Sequence, residues 1–80
     1  MDDYWFKIVI INKRTGSLVH EEVYKQEKRV LFKTLAQASF MAGCALTGFI
    51  TEFEQYDVED YMCQVHVFQF DVKVIEFNWR

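Results

Sequence analysis

No charged residue occurs between Lys33 and Glu52, and this single gap decides most of what the chain can become. The run TLAQASFMAGCALTGFIT, Thr34 to Thr51, is long enough as a helix to reach about 27 Å, close to the roughly 30 Å of bilayer hydrocarbon. Basic residues Lys25, Lys28, Arg29 and Lys33 precede it, and Glu52, Glu54, Asp57, Glu59 and Asp60 follow. Such flanks suit a membrane span. The run can also be the one helix of a small domain, although acids at a helix C-terminus oppose its dipole at a modest cost.

The rest of the chain favours the second reading. The segments on either side of the run have strand composition and apolar faces, and this is the only helix available to cover them. Gln37, Ser39, Thr47 and Thr51 also dilute the run. A single-span membrane protein is therefore the distant alternative, and the expectation is a core helix with no membrane role.

Thr34 and Gln37 have the spacing of a capping box, which places the helix start at Leu35 and its end near Phe53. At about 100° per residue, Leu35, Ser39, Ala42, Leu46, Phe49, Ile50 and Phe53 share one arc. Thr51, Cys44, Gln37, Gly48, Met41 and Glu52 lie opposite. Ala36, Ala38, Ala42, Gly43 and Ala45 flank the large residues, as small shoulders that let a helix sit close to a sheet.

YWFKIVIIN (Tyr4–Asn12) is dense in aromatic and β-branched residues and reads as a strand. Tyr4, Phe6, Ile8 and Ile10 share one face; Trp5, Lys7, Val9 and Ile11 share the other, where only Lys7 is polar. Gly16 is placed for positive φ in a hairpin turn. SLVHEEVYK alternates as the second strand, and KQEKR reads as a charged bend. In YMCQVHVFQFDVKVIEFNW the apolar phase changes near Gln69–Asp71 and again before Ile75. That means either a tight turn or bulge, or one long strand that leaves its own core for another. Gln69-Phe70-Asp71 is poor turn sequence, which favours the long strand.

The expected fold is α+β: one domain over residues 1–80, a small antiparallel sheet with one helix across it. It is either ββαββ, or ββα plus one long C-terminal strand in an intertwined dimer. Eighty residues, half of them hydrophobic and 18% aromatic, leave apolar surface over. A homodimer is expected, with contacts drawn from Phe40, Met41, Cys44, Phe68, Phe70, Phe77 and Trp79.

Catalytic chemistry has little to work with. His20, His66, Cys44 and Cys63 lack the close spacing of a zinc site, so no metal or other cofactor is expected. His20 and Glu22 share a strand face and can pair there. No phosphate-binding glycine loop or nucleophile elbow is present, and an enzyme is not expected. Acids at the N-terminus argue against a signal peptide, and two unpaired thiols suit the cytoplasm.

The formal net charge is −3, which gives no general attraction to nucleic acid. The acidic segment is the most distinctive surface feature: Glu52, Glu54, Tyr56, Asp57, Glu59 and Asp60, with aromatics interleaved. It suits a small binding or inhibitory module that occludes a basic protein surface by setting carboxylates where phosphates would lie. In size, density of apolar residues and lack of catalytic inventory the chain is similar to small accessory proteins of phages and mobile elements. The alternative is a nucleic-acid-binding dimer using Lys7, Lys13, Arg14, Lys25, Lys28 and Arg29 with sheet aromatics.

Overall fold

The computed structural model describes residues 3–52 and 58–79. The order is β1 (Tyr4–Asn12), β2 (Leu18–Arg29), α1 (Leu31–Glu52), a 3₁₀ turn (Val58–Asp60), β3 (Tyr61–Gln69) and β4 (Val72–Asn78). The strands form one antiparallel sheet in the order β2-β1-β3-β4, with α1 across one face. This is the α+β arrangement in its ββαββ form.

The core follows from strand alternation. Phe6, Ile8 and Ile10 of β1 lie opposite Val67, Val65 and Cys63 of β3. All six are completely buried beneath α1. Ile75 and Phe77 of β4, paired with Val67 and Val65, extend this layer, and Tyr24 of β2 stacks on Phe6.

The helix reaches the sheet through its small residues. Thr34, Ala38, Ala42 and Leu46 form the buried stripe. Leu31, Leu35, Met41, Ala45, Phe49 and Ile50 pack around it. The buried arc is rotated by roughly 50° from the one expected from the largest side chains. The alanines are the centre and the large residues the shoulders. The sheet face already carries bulky side chains, so only alanine fits where helix and sheet approach most closely. Met41, expected on the outer side, packs against the core, and Ser39 lies at the rim. Phe53, which the expected arc included, lies outside the described residues.

Other expectations are corrected at element ends. The helix begins at Leu31, and Thr34 is a buried residue of its first turn rather than its cap. Its hydroxyl lies 3.0 Å from the Val30 carbonyl and 3.3 Å from that of Arg29. The hydroxyl is thus satisfied by backbone oxygens, so burial of this polar side chain is tolerated. KQEKR is not a bend but the end of β2. Opposite it, β2 advances five residues from Tyr24 to Arg29 while β1 advances only two, from Phe6 to Tyr4. The extra residues make a bulged, charged edge, which discourages another strand from pairing there.

The C-terminal segment is a hairpin, not one long strand. Gln69 pairs with Val72 across the two-residue turn Phe70–Asp71. Phe68 points to the sheet face away from α1 and stacks on Trp5, with centroids 4.2 Å apart. A second irregularity, at Val74, returns Ile75 and Phe77 to the helix side. Together these account for both phase changes in the sequence.

Phe70 makes the turn at φ 55°, a left-handed conformation that costs a bulky residue about 1–2 kcal/mol. Trp5 holds the turn by donating its indole N–H to the Phe70 carbonyl. The Phe70 ring itself is 61% exposed. Phe70→Gly is therefore expected to stabilise the fold by about 0.5–1 kcal/mol, the relieved strain less the added chain entropy of glycine. A urea titration checks this: a lowered midpoint would mean the ring contributes more than its backbone costs.

Gly16 takes φ 74° in the first hairpin, as its position in the sequence suggests. That hairpin is tied to the 3₁₀ turn before β3: the Lys13 amide donates to the Asp60 carbonyl over 2.9 Å, and Arg14 meets the Asp60 carboxylate at 3.3 Å.

Candidate functional site: the outward face of the helix

Burying Ala38 and Ala42 against the sheet fixes what α1 shows to solvent. Phe32, Ala36, Phe40, Cys44, Thr47, Gly48 and Thr51 are exposed on the far side. Phe32 is 80% exposed and Phe40 70%. The helix carries charge only at Lys33 and Glu52, near its two ends. An uncharged, aromatic outer face is unusual for the one helix of a small domain, since solvent normally selects charged residues there.

Two grooves run along this face. One, of about 640 Å³, is lined by Ser39, Phe40, Gly43, Thr47 and Trp79 and is almost wholly apolar. Trp79 forms its wall. The indole lies over Gly43, so close that a Cβ there would stand 3.1 Å from the ring. The absence of a side chain at Gly43 is what lets Trp79 lie down on the helix. The Trp79 amide donates to the Cys63 carbonyl over 2.8 Å, which anchors the chain end that carries it.

The second groove, of about 340 Å³, lies between α1 and β2 and has Met41, Phe49 and Glu52 on its helix side. His20 and Glu22 line its β2 side. His20 Nε2 and Glu22 lie 3.1 Å apart, the pairing expected from their shared strand face, and the Tyr24 hydroxyl donates to the same carboxylate over 2.8 Å. Cys44 and Gly48 border both grooves and form the low crest between them. Beneath the helix, Cys63 is fully buried. Burial first, and the Glu22 carboxylate second, push its thiol up to about 11, so it is inert at neutral pH.

Of the acidic segment, Glu52, Glu59 and Asp60 lie among the described residues. Glu52 ends α1; Glu59 and Asp60 belong to the 3₁₀ turn before β3. Asp60 is engaged with Arg14. Glu54, Tyr56 and Asp57 lie outside the described residues. Of the residues expected at a dimer contact, Phe40, Cys44 and Trp79 come together on the outer helix face. Met41 and Phe77 pack on the core, and Phe68 and Phe70 sit at the far hairpin. Phe32 is a further exposed ring of α1, eight positions before Phe40. It was hidden by the expected helix start, which left it outside the helix.

The sheet face opposite α1 is a different kind of surface. Trp5 is buried under Phe68 and Lys25, whose ammonium stands 5.0 Å from the indole centroid. Lys7 pairs with Glu21 at 3.3 Å, and Glu76 meets both Lys73 and His66. Burial first holds the His66 imidazole below its usual range, with Lys73 and Lys7 adding to the effect and Glu76 opposing it. The aromatics here are stacked on each other rather than offered to bases, and several of the cations are already paired. Lys28, Arg29 and Lys33 line a separate small hollow at the start of α1. No group of three His, Cys, Asp or Glu side chains suited to a metal ion occurs among the described residues.

By length and composition alone α1 could cross a membrane; its most apolar window has mean hydropathy 1.2 and is 33% buried. No known protein family, curated protein or solved structure matches this chain.

Proposed function

We propose that the chain is a small, non-enzymatic protein-interaction module whose working surface is the outward face of α1. The observation that carries this reading is the exposed pair Phe32 and Phe40 on a helix face charged only near its two ends, at Lys33 and Glu52, beside the groove walled by Trp79. Aromatic side chains held at high exposure beside a preformed apolar groove supply the anchors of a protein interface. Glu52 at one end of the face gives it a preference for partners with basic residues there, and binding of this kind can occlude a partner's basic cleft. An inhibitory role and a cytoplasmic setting belong to the same proposal.

The test uses Phe32→Glu/Phe40→Glu. Both residues are exposed, so the variant should unfold within about 0.5 kcal/mol of wild type. It should nevertheless lose the proteins, its own copies included, that immobilised wild type retains in detergent-free buffer. Equal capture by the two chains would defeat the reading. So would a wild-type chain that stays in solution only with detergent, which would return α1 to the bilayer.

A further inference from the structure

We propose that the occupant of the outward α1 face is a second copy of this chain, packed antiparallel about a two-fold axis that passes near Gly43 and Cys44. The inference rests on the interaction-module reading and names the partner.

Charge is the first argument. Lys28, Arg29 and Lys33 gather at the N-terminal end of α1, and Glu52 stands at the other. None of these four makes an ion pair among the described residues. Lys33 and Glu52 are 19 positions apart, so a two-fold axis at the helix midpoint sets the basic end of each copy beside the acidic end of the other. A parallel pair would set like charges together.

Shape is the second. Ala36, Phe40, Gly43 and Thr47 recur at the four-three-four spacing of a helix-pairing seam. A crossing centred between Gly43 and Cys44 places each Phe40 over Thr47 and Gly48 of the other copy. There it enters the groove between Gly43, Thr47 and Trp79. The protruding ring and the groove that takes it lie on one surface, so the same contact forms twice. That self-complementarity is what a two-fold interface requires. Because the Trp79 indole already covers Gly43, the two helices meet through the Phe40 rings and the indole walls rather than by close backbone approach.

Area sets the strength. Phe32 and Phe40, 80% and 70% exposed, offer roughly 300 Å² between them. Even with the remaining outer residues of a helix about 33 Å long, one helix face is small beside the roughly 800 Å² per partner of a standard stable interface. The pair should therefore form and dissociate with concentration.

Sedimentation equilibrium from about 1 to 500 µM tests this, because mass action shows a reversible dimer as a rise in mean mass. Wild type should rise toward twice the monomer mass, and Phe40→Glu should weaken the pair at least about tenfold. Lys33→Glu and Glu52→Lys should each weaken it about two- to five-fold at low salt. Lys33→Glu/Glu52→Lys should restore wild-type affinity, since the swap re-forms both ion pairs in the antiparallel arrangement. Single reversals without effect, or a double variant no better than either, would overturn the antiparallel pairing. A wild type that stays monomeric throughout would overturn the second copy altogether. If Phe32→Glu/Phe40→Glu still abolished capture of other proteins, the module reading would survive that result.

Discussion

Phe6→Ala is expected to destabilise the chain by about 3–5 kcal/mol, the largest effect of any single truncation in the core. Phe6 is completely buried, faces Tyr24 on one side and Val67 on the other, and stacks on the Tyr24 ring at 4.8 Å. It lies on a central strand, so the cavity would open between β2, β3 and α1, where no exposed side chain can swing in to fill it. An 80-residue domain has roughly 4–12 kcal/mol of total stability. The variant should be marginal at 25 °C and largely unfolded on warming. Urea unfolding reads this as a lower midpoint at an unchanged slope. Phe6→Leu, which keeps most of the volume, should lose only about 1–2 kcal/mol. A loss below about 1 kcal/mol for Phe6→Ala would mean that the core is not centred on this ring.

The second large effect distinguishes the two sides of α1. Ala42 is completely buried, and its carbonyl lies 3.8 Å from the Cys63 sulfur. Leucine at this position would add three carbons where the helix comes closest to β3. Helix propensity barely changes, so the cost is steric: about 1–3 kcal/mol, as the helix lifts from the sheet. On the outer side, Phe40→Leu removes an exposed ring and should shift monomer stability by no more than about 0.5 kcal/mol. Thermal unfolding of the two variants at low protein concentration makes the comparison. A helix that meets the sheet through its alanines gives the large difference. Similar small effects at both positions would contradict that packing.

Much of this architecture was legible from residue order. The alternation in YWFKIVIIN marks β1 and its inner face, and Gly16 marks the first turn. The charge-free run marks the helix, because apolar strand faces at both ends of the chain needed one cover. What escaped reading has identifiable causes. Ranking helix residues by size misplaced the core arc, since in close helix–sheet packing the smallest residues sit deepest. Thr34 resembled a cap because a hydroxyl before an apolar run does so at many helix starts. Here it serves backbone carbonyls within the first turn. Lys25 to Arg29 resembled a bend because its charges broke the alternation, whereas an edge strand with a bulge carries charge without ending. Phe70 argued against a turn because its conformation there is costly; the Trp5 indole and the strand pairing on either side hold it in place.

The outward face of α1 was only half legible. Phe40, Cys44 and Trp79 were visible as surplus apolar residues, but nothing local joins Trp79 to Gly43, which lie 36 positions apart in the chain. Their contact depends on β4 pairing beside β3, and pairing is a tertiary fact. The acidic segment is a cluster in sequence. Of its described residues, Asp60 pairs with Arg14, and Glu52 stands at the end of the apolar face.

The measurement that tests the account most directly is the alkylation rate of the two thiols as protein concentration is raised. Cys44 lies exposed on the crest of the outward face, and Cys63 is buried beneath the same helix. In dilute solution Cys44 should react quickly and Cys63 hardly at all. As concentration rises and the helix faces meet, Cys44 alone should slow. A Cys44 rate that stays constant across the whole range would contradict a face covered by a second copy, and a Cys63 that reacts as fast as Cys44 would contradict the packing of α1 on the sheet.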